Sequence, residues 1–217
     1  MTKRELFKRY TLFIISLFFS ALGVAFTKRG ELGVSPISSV ANVLSYKFTF
    51  LSMGNWLIVW NCILIIGQIV ILRRKFQPIQ LLQVPLSFLF GYFTDFGMFL
   101  ASFVPASLYI VRILLVIVGV IILGFGISLS VIANVIMNAG EAFVKAVSDT
   151  LHKSFGNVKI VFDVSCVVFS IILSLLFFDF TIVGTREGTL IAAFGTGIAV
   201  KAFSRILTKP ACKLLTK

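Results

Sequence analysis

Six apolar stretches, each long enough to cross a bilayer as a helix, occupy most of this chain. Hydrocarbon about 30 Å thick needs about 20 mostly apolar residues in a helix. The runs lie at about 10–26, 56–72, 79–104, 108–136, 158–178 and 188–206. Together they predict an all-α polytopic membrane protein, residues 1–217 forming one integral membrane domain with no soluble one. Composition agrees, at 59% hydrophobic and 13% charged with a mean hydropathy of +1.06. Soluble domains carry about 45–50% apolar and about 25% charged residues. The first run follows "MTKRELFKRY" and shows no obvious small-residue cleavage site, so it reads as an uncleaved span.

The net charge of +12 does not point to nucleic acid. The charges form no soluble basic patch and sit mostly at the ends of the apolar runs. Lys and Arg at span ends fix topology, because they are retained on the cytoplasmic side. With six spans and an N-terminus inside, fifteen of them fall on cytoplasmic ends. Only Lys28, Arg29, Lys47, Arg112 and Arg186 fall outside. Both termini are therefore expected in the cytoplasm.

No motif points to an enzyme. P-loop, G-x-S-x-G and dinucleotide fingerprints are absent from the sequence. His152 is the only His, and one His without a Cys or carboxylate cluster does not make a zinc site. Cys62 and Cys166 lie within apolar runs and Cys212 in the basic tail, with no metal spacing. Neither a metal nor a cofactor is expected.

The chain repeats itself. "LGVSPISSVANVLSYKF" at 32–48 compares with "MNAGEAFVKAVSDTLHKSF" at 137–155 under a shift of 103. Ile37, Val40, Ala41, Leu44 and Phe48 fall on Gly140, Phe143, Val144, Val147 and Leu151. Both sets follow the i, i+3, i+4, i+7, i+11 spacing of an amphipathic helix. Gly23 falls on Gly126 at the same shift. Further on, "MGNWLIVWN" meets "FGNVKIVFD" at a shift of 102, and two "FG" pairs match at a shift of 104. Each half reads as span, short helix, span, span, at about 8–104 and about 108–208. Three spans is an odd number, so the second half must enter from the opposite side. An inverted-topology repeat of this kind is a common construction of secondary transporters.

The segment from Pro36 to Phe48 is about 20 Å long as a helix, too short to span. Ser35 supplies a hydroxyl cap and Pro36 suits the first helical position. In the second copy Asn138 and Glu141 have capping-box spacing. Short helices at matching places in two halves point to a binding site, and their free N–H groups suit an anionic group. The competing expectation is a pair of interfacial helices that touch no substrate. On the first reading Ser35, Pro36, Ser38, Asn61, Asn138, Glu141 and Asp163 are the candidate binding residues.

Ionisable groups within spans add candidates for coupling or gating, because their burial in lipid is costly. These are Asp95 and Asp163, with Lys159 four residues before it; Arg186, in "GTREGT" just before the sixth span, is a further gating candidate or else a charge in a simple polar turn. Lys201 is expected to snorkel to the surface. Asn61, Gln68, Gln83 and Asn134 could instead bond between helices. The leading expectation is a small secondary transporter in a lipid bilayer, moving an unidentified small solute by alternating access. The alternative is a substrate-binding subunit or regulatory scaffold acting through a partner protein or as a homo-oligomer. Small residues such as Ser20, Ala21 and Gly23, or Gly195 and Gly197, would then dock another helix.

"LGVSPISSV", "LLQVPLSFLFGYFTD", "FGNVKIVFD" and "TREGT", in this order, resemble the YczE/YyaS/YitT family of bacterial membrane proteins. The resemblance covers nearly the whole chain. It implies a six-span, multi-pass protein of the bacterial inner (cytoplasmic) membrane. It implies no particular substrate, and relatives linked to peptide-synthetase product formation keep a regulatory role open.

Overall fold

A backbone in hydrocarbon must satisfy its own polar groups, so each apolar run closes into a helix. The computed structural model describes residues 3–216, which form helices and connecting turns with no strand. In chain order the helices are α1 (Lys3–Arg29), α2 (Pro36–Lys47), α3 (Met53–Leu72), α4 (Gln83–Ser102), α5 (Tyr109–Ala133), α6 (Ala139–Leu151), α7 (Phe155–Phe177) and α8 (Glu187–Thr216). Two 3-10 turns, Arg73–Lys75 and Pro78–Leu82, link α3 to α4. All but α2 and α6 are long and apolar enough to cross a membrane. This is the architecture of a polytopic membrane protein.

The ends differ from the sequence reading for local reasons. The run expected to reach residue 136 stops at Ala133, because Asn134 turns into the left-handed region at φ 48° and ψ 48°. The second span starts at Met53 because the Ser52 hydroxyl accepts the Asn55 N–H at 3.1 Å. Pro85 sits in the first turn of α4, where its missing N–H breaks no helical bond. The basic tail is part of α8, which runs through Pro210 to Thr216. Lys217 and the side chains of Cys212 and Lys213 lie outside the described residues.

Helix ends sort onto two faces. Arg9, near the chain start, donates to the carbonyl of Ala133 at 3.0 Å, so the start of α1 and the end of α5 share a face. Gln68 and Gln83 bring the end of α3 and the start of α4 to the same side. At the opposite face Arg29 donates to the Val104 carbonyl at 3.0 Å, and Tyr109 to Glu187 at 3.2 Å. Lys47 reaches the Phe177 carbonyl there at 2.9 Å.

α1 and α5 run antiparallel through the centre at backbone contact. A Cβ on Gly23 would fall 2.5 Å from Leu123 N and 2.7 Å from Gly119 O. A Cβ on Gly126 would fall 2.5 Å from Ser20 N and 2.9 Å from Ser16 O. Adding 103 to Gly23, Ser20 and Ser16 gives Gly126, Leu123 and Gly119, so the two sets of contacts exchange. Other contacts follow the same rule. α2 packs on α7 as α6 packs on α3, and α4 lies along α1 as α8 lies along α5. The caps match as well, since Ser154 accepts the Asn157 N–H as Ser52 accepts that of Asn55.

The two short helices start inside the helical bundle. Ser39, in the first turn of α2, lies with its hydroxyl 3.4 Å from the Cys166 carbonyl, midway along α7. The other end of α2 is at the face holding Phe177. α6 approaches from the other side, its Ala139 carbonyl accepting from Gln68 at 3.1 Å. The two helix starts meet, with Gly140 against the Ile37 side chain.

Candidate functional site

Where the two helix starts converge the bundle is hollow. A cavity of about 500 Å³ lies between α1, α3, α4, α5, α7, α8 and the tips of α2 and α6. One wall is apolar, formed by Phe13, Leu17, Leu86, Phe90, Leu123 and Ile127. The other is polar, formed by Ser35, Ser38, Asn61, Asn138, Glu141, Lys159 and Asp163. The lining residues nearest the face opposite the termini, Val24, Leu57 and Ala192, are buried. Phe155 and Ile160 on α7 are exposed. Ala193 and Gly197 on α8 are exposed too, so the exposed part of the lining flanks the gap between α7 and α8.

All seven candidate binding residues, and Lys159, line this one space. The capping details differ from those read in the sequence. Ser35 occupies the N-cap of α2, but its hydroxyl donates to Ser38 Oγ at 3.0 Å and caps no N–H. The Asn138 side chain also caps nothing, while the Glu141 carboxylate accepts the Asn138 backbone N–H. The second copy thus has the acidic half of a capping box only.

Glu141, Lys159 and Asp163 are the charged residues of the lining. Lys159 and Asp163, one turn apart on α7, form an ion pair, each side chain about a quarter exposed. Glu141 is left without a basic partner among the described ion pairs. Burial, the largest influence, raises its carboxyl above the usual carboxylate range. The Lys159 charge and the Asn138 N–H pull the other way, and Asp163 adds to the rise. Ser20 Oγ and Thr196 Oγ1 also belong to lining residues and have no hydrogen-bond partner among the described residues.

The remaining gating candidates lie elsewhere. Asp95 Oδ1 accepts the Gly54 N–H at 2.8 Å, and its Oδ2 accepts the Ser52 hydroxyl, outside the cavity. Arg186 is exposed and pairs with the neighbouring Glu187 at 3.2 Å, far from the polar wall in the contacts it makes. Gln68 and Gln83 bond each other through both amides, at 3.0 and 3.2 Å, as helix-to-helix glue. Sequence reasoning missed the apolar wall and the Asp95 cap. The apolar wall carries no signal in a chain this hydrophobic. The Asp95 cap pairs residues 41 apart, beyond any local pattern.

Residues 7–205 match the family of unknown function DUF6198, and the chain belongs to that family. No curated protein and no solved structure matches it.

Proposed function

We propose that this DUF6198 member is a small secondary transporter, built as two inverted repeats, that moves a small solute by alternating access. The carrying observation is the convergence of the α2 and α6 starts on one cavity, from opposite faces, with all seven candidate binding residues on its lining. Helix starts present free N–H groups and the positive end of the helix dipole, which favours an anionic solute. Two carboxylates and one amine share the lining, so an anion needs a proton or a cation beside Glu141 or Asp163. Those two residues are the coupling candidates. The exchange of contacts between α1 and α5 under the 103 shift supports the inverted repeat. The Lys and Arg bias supports cytoplasmic termini. The YczE/YyaS/YitT resemblance fits the same architecture.

The test is solid-supported-membrane current from full-length protein in proteoliposomes. Small organic anions, cations and neutral solutes are applied under imposed pH or sodium gradients. One class should give a gradient-dependent current that Asp163→Asn abolishes. No current with any class, together with cells unaffected by Asp163→Asn, would overturn transport.

A second reading, a subunit or scaffold acting through a partner protein, has one supporting observation. Leu190, Phe194 and Ile198 lie exposed along one face of α8, and a Cβ on Gly197 would touch nothing. The other stripe named for docking, Ser20, Ala21 and Gly23, is buried within the chain, with Ser20 and Gly23 against α5. Copurification of a single stoichiometric partner, with α8-face substitutions releasing it, would favour this reading.

A further inference from the structure

The two halves are alike in sequence and in most contacts, yet one pair of seams differs. Between α3 and α4 the backbones touch. A Cβ on Gly54 would fall 2.1 Å from Gly91 O, and one on Gly91 would fall 2.7 Å from Gly54 O. Asp95, one turn beyond Gly91, bridges this seam through the Gly54 N–H and the Ser52 hydroxyl. Gly54 recurs as Gly156 at the shift of 102, and Gly91 recurs as Gly195 at the shift of 104. At the second seam the glycines touch little. A Cβ on Gly156 would meet nothing within 4 Å, and one on Gly195 only the Val120 side chain, at 2.9 Å.

α7 and α8 do not pack along each other, whereas α3 and α4 do. Lys159 and Ile160 line the cavity on the α7 side of this gap, and Ala193 and Gly197 on the α8 side. Glycine is unfavourable in a helix relative to alanine, and nothing beside Gly156 requires it here. Both glycines stand where the first seam has its closest contact. Asp95 recurs as Ala199, so the second seam has no carboxylate to hold it shut.

We infer that the α3–α4 and α7–α8 seams are the two gates of the cavity. Asp95 is the latch of the first, which is shut here, while the second is open. In the other state Gly156 and Gly195 close on each other, and Asp95 releases Ser52 and Gly54. This deepens the alternating-access reading and rests on it. Closing the second seam turns Gly195 and Ala199 away from Val120 and Gly124 of α5 and toward α7. The energy difference between the two states then lies in this repacking, in the latch and in whatever occupies the cavity.

The test uses full-length protein in liposomes, with Cys62, Cys166 and Cys212 changed to Ala. Asn61→Cys serves as a reporter on the cavity, read with a membrane-impermeant maleimide from each side. Gly156→Cys, where a side chain meets nothing, with Gly195→Cys, where it presses on the Val120 side chain, is joined by a short bifunctional thiol reagent. Joining should cut labelling of Asn61→Cys from the terminus side by about ten-fold and raise it from the other side. Asp95→Asn alone should raise labelling from the side opposite the termini. Ser52→Cys with Asp95→Cys, once oxidised, should abolish labelling from that side. The inference is overturned if the 156–195 pair does not join, or joins without changing labelling, or if Asp95→Asn leaves both rates unchanged. Current without joining of 156 and 195 would keep transport and reject these gates. Joining and side-switching with no current for any solute would keep the gates and reject transport.

Discussion

Ile37 and Gly140 meet at the middle of the molecule, where a Cβ added to Gly140 would lie 3.0 Å from Ile37 Cδ1 and 3.1 Å from its Cγ2. The contact joins the first turns of two helices that approach from opposite faces. Ile37 can shift by a few tenths of an ångström, so Gly140→Ala should be tolerated. Gly140→Leu should not be. It should lower stability by about 1–3 kcal/mol through overpacking. Thermal unfolding of purified protein in nanodiscs checks both.

Glycine substitutions should separate the central helix pair from the α7–α8 seam. Gly23→Ala and Gly126→Ala each place a methyl within 2.5 Å of backbone on the facing helix. Backbone cannot rotate away, so each should cost about 2 kcal/mol or more, and by similar amounts. Gly197→Ala meets nothing and should be neutral or stabilising by up to about 1 kcal/mol. Unequal losses at Gly23 and Gly126 would speak against equivalent roles in the two halves.

Glu141 should make stability depend on pH in the direction opposite to a paired carboxylate. Its folded pKa is raised, chiefly by burial, so the folded state holds the proton more tightly than the unfolded chain. The other charged groups facing it in the cavity are Lys159 and Asp163. Stability is then lost as pH rises from the ordinary carboxylate range through the raised value. Glu141→Gln should melt above the parent protein at neutral pH, and the gap should close in acid. The comparison is of Tm between the two proteins across pH.

Lys159 and Asp163 should behave as a coupled pair. Removing one partner leaves the other charge about a quarter exposed on the polar wall of the cavity. Lys159→Met or Asp163→Leu should each destabilise by on the order of 1–2 kcal/mol, less than for a fully buried pair. The double change should recover part of that loss. A double-mutant cycle by chemical unfolding measures the coupling.

Much of this fold was legible because lipid imposes helices on apolar runs, and because the shift of 103 pairs Ser35 with Asn138. Boundaries failed where a single residue decides them. Asn134 ends α5 by its left-handed turn, and Ser52 starts α3 by its hydroxyl. The polar lining could be named in advance, since Glu141 and Asp163 stand out in such a sequence. The place of Ser20 on the lining and the Asp95 bridge between α3 and α4 could not. Both depend on which helices are neighbours, and apolar helices of similar composition leave that choice to glycine-sized contacts between residues far apart in the chain.

The central claim is that the start of α2 reaches the central cavity, and that in this state the cavity is reached from the face of the termini through the α7–α8 gap. Ser35→Cys, on the background without native Cys, tests it in sealed vesicles of known orientation with a membrane-impermeant methanethiosulfonate. The account predicts reaction from the terminus side at a rate within about ten-fold of exposed Asn157→Cys, as expected for a half-buried residue lining an open cavity. Reaction only from the opposite side, as for a helix lying at that surface, would contradict it.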